Sequence, residues 1–257
     1  MPKPTAQKPP LKKASVAKSS AAKQSSAGKA SSANKPSSAV KSKPSAAKKP
    51  VPVVWQPPHF DNESRLRDSG MWPVAGIDEA GRGPLCGPVV AAAVILDPAC
   101  IPPGLADSKQ LTPQERETAF AAIMADAVAV GIGFSPADEI DRINIRQATH
   151  AAMRRALAAL AIAPVIVLID GNDQPSGLAC AAETLVKGDS ISMSIAAASI
   201  VAKVTRDRLM HRMSTWHPEY GFAEHVGYAT RQHVEAMAVH GPCVFHRRSF
   251  GSLKELI

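Results

Sequence analysis

The chain has 257 residues, 45% of them hydrophobic and 4% aromatic, enough for one large domain or two small ones with a sizeable core. No apolar run reaches the roughly 18 residues of a membrane span, and the N-terminus lacks the apolar stretch of a secretory signal. The formal charge of +8 is uneven: residues 1–50 hold 12 Lys, no Arg and no acid, so the other 18 basic residues face all 22 acids, a net of −4.

Those first fifty residues are almost entirely Lys, Ala, Ser and Pro, without apolar periodicity. Ordering them would cost conformational entropy with no burial to offset it, and their lysines repel one another. We therefore expect a disordered basic tail over residues 1–55 and one folded α/β domain over 56–257, the composition changing around Trp55. Such a polycation suits phosphate backbones through counterion release, as a nonspecific nucleic-acid contact; a solubilising leader is the plainer alternative. Mitochondrial presequences are Arg-rich and amphipathic, unlike this segment.

Within the domain, residues 74–78 and 88–96 are apolar runs of strand length joined by a glycine-rich loop, the pattern of a hairpin. Thr112-Pro113-Gln114-Glu115 opens a helix with a capping box and a proline in its first turn, running to about Ala125. VAVGIGF (128–134) reads as a third strand, and Ser135-Pro136 starts another helical stretch. Residues 144–161 form a long amphipathic helix ended by Pro164. VIVLID (165–170) is the continuous aliphatic run of a strand covered on both faces, and residues 191–215 make a second long helix. Antiparallel strands followed by β-α-β alternation predict a mixed sheet flanked by helices.

Four carboxylates occupy odd positions in this scheme. Asp78 closes the first strand with Glu79 just past it, and Asp170 closes VIVLID before Gly171. Ligand sites in open α/β sheets lie beyond the strand ends, where acids from two strands converge. Asp207 sits mid-helix with Val204, Lys203 and Ile200 at i−3, i−4 and i−7, so it faces partly inward. Singly, each acid has a plain explanation: Asp170 as a turn cap, Asp207 as a partner of Arg206, Arg208 or Lys203. Jointly, four converging acids would repel one another severely unless divalent cations relieved them. Oxygen-only ligation suits Mg²⁺ or Mn²⁺ rather than zinc, and such a cluster matches two-metal phosphoryl chemistry.

Other motifs fail. Gly76-x₄-Gly81 has Walker spacing but is followed by Arg82 and Gly83, and Cys86 replaces the third glycine of a dinucleotide loop. The hydrolase signatures G-x-S-x-G and H-E-x-x-H are missing from the sequence, and S-x-x-K is missing from residues 56–257, occurring only in the Lys- and Ser-rich tail. Cys86, Cys100, Cys180 and Cys243 are scattered without a C-x-x-C pair and read as reduced thiols; Cys243-x-x-His246 alone is a weak metal signal.

With these residues assembled, the chain resembles the ribonuclease HII family. GIDEAGRGPLCGPVVAAAV, DSKQLT, VLIDGN, ASIVAKVTRDRLM, and HVGYAT followed by HRRSF match the family's motifs in order over roughly residues 58–257. The resemblance implies a ribonuclease H-like fold: a five-stranded mixed sheet flanked by helices, with a small helical C-terminal part. It implies cleavage of the RNA strand of RNA–DNA hybrids, and cutting at single ribonucleotides embedded in duplex DNA, by a cytoplasmic, membrane-free monomer. Carried over by motif, it implies Asp78, Glu79, Asp170 and Asp207 as catalytic ligands of two Mn²⁺ or Mg²⁺ ions. Gly81, Arg82 and Gly83 then fall on the ribose-reading loop and Tyr228 on the junction-sensing tyrosine. Lys109, Lys187 and Lys203 are candidate phosphate contacts. A non-catalytic nucleic-acid-binding protein on the same fold is the rival reading. The sister family, ribonuclease HIII, carries an extra folded N-terminal domain, which the low-complexity tail argues against.

Overall fold

The computed structural model describes residues 57–251; the basic tail and the boundary set near residue 55 lie outside them. Five strands form one sheet: β1 (Val74–Ala80), β2 (Val89–Ile95), β3 (Ala129–Ser135), β4 (Ile166–Asp170) and β5 (Ala181–Leu185). Their order is β3-β2-β1-β4-β5, with β1–β2 and β2–β3 antiparallel and β1–β4 and β4–β5 parallel. This is the ribonuclease H-like mixed sheet that the motifs imply. The hairpin reading of β1 and β2 holds, and so does the burial of β4 on both faces.

Helices cover both faces, which explains why β2 has all seven residues buried instead of an alternating pattern. On one face, Ala75, Ile77, Ala91, Ala93, Val167 and Ile169 pack against α4 (Ile145–Ala158). On the other, Ala92 and Val94 meet the long α5 (Met193–Trp216), which α2 (Pro113–Asp126) also contacts. Gly76 permits the close approach of α5: a Cβ there would lie 2.1 Å from the Ser194 carbonyl carbon. The Thr112–Glu115 capping box forms reciprocally, with Thr112 N–H donating to Glu115 Oε2 at 2.7 Å.

Two expectations shift. The helix expected over 144–161 stops at Ala158, because the Ala159 amide also reaches back to Ala156 and tightens the last turn. The fifth strand, β5, was given no place by the sequence pattern. Its five residues, Ala-Ala-Glu-Thr-Leu, are half-buried or exposed at the sheet edge, so they show neither an aliphatic run nor alternation. Short helices α1 (Asp61–Asp68) and α3 (Ala137–Ile143) precede and link the larger ones. After α5, α6 (Phe222–His225) and α7 (Arg231–His240) make the small helical C-terminal part. Among the described residues no helix is long and apolar enough to cross a membrane.

Candidate active site

Sheet register brings the first two acids together. Because β1 and β4 run parallel with Ile77 beside Ile169, the next residues, Asp78 and Asp170, fall level on the α5 side. A third acid enters from the link between β5 and α5. Lys187 takes a left-handed conformation (φ 58°) and starts a one-turn 3₁₀ helix, Gly188–Ser190, that carries Asp189. Oxygens of Asp78, Asp170 and Asp189 all lie within 4.8 Å of one another. Asp170 Oδ1 accepts the Gly188 N–H at 2.7 Å, tying the turn to the strand end.

Burial pushes the Asp78 carboxyl well above the usual range, and Glu79, Asp170 and Asp189 push it further. Burial and Asp189 raise Asp170 as well. Glu79 points to the opposite face of β1; burial raises it too, against the pull of Arg82, whose Nη1 donates to Glu79 Oε1 at 3.0 Å. Lys109 Nζ donates to Asp189 Oδ2 at 2.9 Å and approaches Asp107 at 3.4 Å. Partial burial works against the Lys109 charge, but Asp189, Asp107 and Asp78 together hold its ammonium above the ordinary lysine range.

The loop after β1 is held by two buried arginines that the sequence reading left out. Arg247 donates Nη2 to Gly81 O at 2.5 Å, Nη1 to Arg82 O at 2.9 Å and Nε to Gly87 O at 2.9 Å. Arg206 donates to the carbonyls of Pro88, Cys86 and Val226. Gly81 has φ +94°, and a Cβ there would lie 2.0 Å from Arg206 Nε, so no other residue fits. Gly83 is open on its side: a Cβ would stand 3.8 Å from Tyr228 Cε1, and Tyr228 is 46% exposed. Asp78, Glu79, Gly81, Arg82, Gly83, Lys109, Asp170, Lys203 and Tyr228 thus line one cleft.

Asp207 departs from the sequence expectation. It lies outside the three-carboxylate cluster, and its Oδ1 accepts from Lys203 Nζ at 2.8 Å, one helical turn away. The inward-facing periodicity was real, but the local ion pair satisfies the charge, as the plainer reading allowed. Asp189 stands where a further acid was expected. Its signal in the sequence, Lys187-Gly188-Asp189, is a turn, and nothing in that pattern says the turn folds back onto a strand end. Lys187 is exposed on that turn and does not line the cleft.

The donor set is all oxygen, crowded and partly buried, which fits hard divalent cations such as Mg²⁺ or Mn²⁺. A ribonuclease H-like sheet with such carboxylates at adjoining strand ends defines a metal-dependent nuclease. The Ribonuclease HII family model matches residues 75–253. The Rhizobium johnstonii ribonuclease HII is 58% identical over 198 residues, covering 77% of this chain and 86% of that protein. The Agrobacterium fabrum ribonuclease HII is 55% identical over 197 residues, covering 77% and 90%. The crystal structure of the Pyrococcus horikoshii ribonuclease H2 superposes with a TM-score of 0.62 at 28% identity, covering 71% of this chain and 96% of that one. The chain belongs to the ribonuclease HII family, endonucleases that hydrolyse RNA in RNA–DNA hybrids.

Proposed function

We propose that the chain also cuts at single ribonucleotides embedded in duplex DNA, leaving 5′-phosphate and 3′-hydroxyl ends. The observation that supports this reading is the shared cleft: Gly81–Gly83 and Tyr228 border the carboxylates directly. Asp78, Asp170 and Asp189, with Glu79 from the other face, would hold two Mg²⁺ or Mn²⁺ ions. Bound there, such ions supply Lewis acidity toward the scissile phosphate and lower the pKa of water.

The protein's own groups do the rest. Glycine at 83 leaves the loop backbone open to a ribose, whose 2′-OH both donates and accepts, while glycine at 81 lets the loop turn against Arg206 and present that backbone. Arg247 fixes that backbone by holding the Gly81 and Arg82 carbonyls from behind. Tyr228, half-exposed across from Gly83, stacks on the following deoxyribose and senses the RNA-to-DNA junction. Arg82 and Lys109 exchange their carboxylate partners for phosphate oxygens as the strand enters. Lys203 lines the same cleft and reaches a neighbouring phosphate, with Lys187 beyond it. Asp207 holds Lys203 in place and ligates no ion.

The enzyme then works as a cytoplasmic monomer in ribonucleotide removal, and the lysine-rich tail raises local substrate concentration without adding specificity. Single-turnover cleavage of a duplex carrying one ribonucleotide tests the reading, with Asp78→Asn as control. The variant should retain substrate binding and lose cleavage by orders of magnitude. Full activity in Asp78→Asn, or intact junction substrate with the wild type, overturns it. Deleting residues 1–50 should weaken binding and flatten its salt dependence while leaving the cutting position unchanged.

A further inference from the structure

The weak Cys243-x-x-His246 signal acquires a third member in the fold. Residue 86 forms an isolated antiparallel bridge with residue 246, which lays the chain after the glycine loop beside the C-terminal segment. Donor atoms of Cys86, Cys243 and His246 then lie within 4.8 Å of one another, with Cys243 Sγ 3.2 Å from His246 Nδ1. All four cysteines of the chain are free.

We propose that Cys86, Cys243 and His246 bind a soft divalent cation of the zinc class, clamping the C-terminal segment to the substrate-reading loop. Around a tetrahedral ion with sulfur ligands at about 2.3 Å and nitrogen at about 2.0 Å, neighbouring donors stand roughly 3.5–3.8 Å apart. The cluster is therefore near coordination distance already. A disulfide, by contrast, would need the two sulfurs drawn to about 2.05 Å.

The imidazole is oriented for the task. Tyr228 O can only accept, so His233 Nδ1, 2.8 Å away, carries a proton and its Nε2 is left as an acceptor. His246 Nε2 therefore donates to His233 Nε2 at 3.0 Å, and the lone pair of His246 Nδ1 faces the sulfurs. An acceptor on the far ring nitrogen, as His233 provides here, is what fixes the tautomer of ligating histidines. The lone pair now accepts the Cys243 amide at 2.9 Å, which the ion would displace.

Charge also balances. Two thiolates, a neutral imidazole and a dication sum to zero, so filling the site adds no net charge beside buried Arg206 and Arg247. Two protons leave with binding, one from each thiol. The carboxylate cluster contains no sulfur, so the two sites select different ions. Cys243 is half-buried, so an ion can enter from that side.

Arg247 adjoins His246 and holds the Gly81 and Arg82 carbonyls, so an ion here would stiffen the loop that reads the ribose. The test is Co²⁺ titration of the reduced full chain in excess Mg²⁺, which occupies the carboxylates. A saturable thiolate-to-cobalt charge-transfer band at one equivalent is expected, displaced by Zn²⁺ and retained in Cys100→Ser and Cys180→Ser. Cys243→Ser should lose the band, with thermal unfolding showing that the variant is folded. Zinc should also slow alkylation of Cys86 and Cys243 in the wild type at least tenfold. A wild type without the band, a band undiminished in Cys243→Ser, or a Cys86–Cys243 disulfide formed in place of metal binding overturns the proposal and leaves the nuclease assignment standing.

Discussion

Two regions of this molecule bury like charges, and they handle them in opposite ways. At the strand ends, Asp78, Asp170 and Asp189 crowd together, and burial with mutual repulsion pushes the Asp78 and Asp170 carboxyls upward. Behind the glycine loop, Arg206 and Arg247 are fully buried. Burial first, and Arg206 next, push the Arg247 guanidinium down to about 9, still charged at neutral pH. The arginines spend their N–H groups on six backbone carbonyls, so their charge is solvated by the fold itself. The carboxylates have few such donors: Asp170 accepts the Gly188 amide and Asp189 the Lys109 ammonium. Like charge is left uncompensated at the carboxylate cluster and is compensated internally behind the loop.

The largest break in this comparison should come from Asp189→Asn. Single-turnover cleavage of a hybrid with saturating Mn²⁺ should fall on the order of a thousandfold or more, as for other metal-centred machinery. Asp207→Asn should stay within severalfold of wild type in the same assay, and a matched collapse there would restore Asp207 to the metal site. On the scaffold side, Arg247→Met leaves three carbonyls without their donor and should destabilise the fold by about 3 kcal/mol in urea titrations. Cleavage should fall with it, since Gly81 and Arg82 lose their support.

Asp78→Asn sharpens the contrast from the other direction. In chelator it removes a buried like charge, so the midpoint of thermal unfolding should rise, by about 1 kcal/mol of stability. A fall would mean that the carboxylate is internally solvated after all.

The smallest effect is expected at a conventional ion pair. Arg155 binds Glu139 with two contacts of 2.6 and 2.8 Å, which pull the Glu139 carboxyl from 4.5 to about 2. A depressed folded-state value contributes stability above the unfolded value and loses it as pH falls. Glu139→Gln should therefore cost about 1 kcal/mol at pH 7, discounted because Arg155 is half-exposed. The gap to wild type should close as pH falls from about 4.5 to about 2.

Much of this was legible beforehand where local chemistry repeats. The aliphatic runs of β2 and β4, the Thr112 capping box and the Asp78-Glu79 pair all declared themselves, although β1 runs on through Glu79 to Ala80 instead of closing at Asp78. Glu183 and its half-exposed neighbours hid β5, because an edge strand of Ala, Glu and Thr has no burial pattern to read. Asp189 was hidden differently. Its importance depends on a left-handed turn at Lys187 and on the Gly188 amide finding Asp170. At Asp207 the helix face is readable from spacing, whereas its carboxylate's ion pair with the Lys203 ammonium one turn away appears only in the fold.

By itself the sequence determined four of the five strands, the main helices, the acidic pair and the glycine–arginine–glycine loop, since each follows from residues near one another along the chain. Only tertiary structure decided which acid joins Asp78 and Asp170, that Arg247 would grip a loop 166 residues away, and that Cys86 would meet Cys243 and His246. Those facts depend on sheet register and on where the C-terminal segment docks, and both are set by packing between elements rather than by the preferences of any one of them.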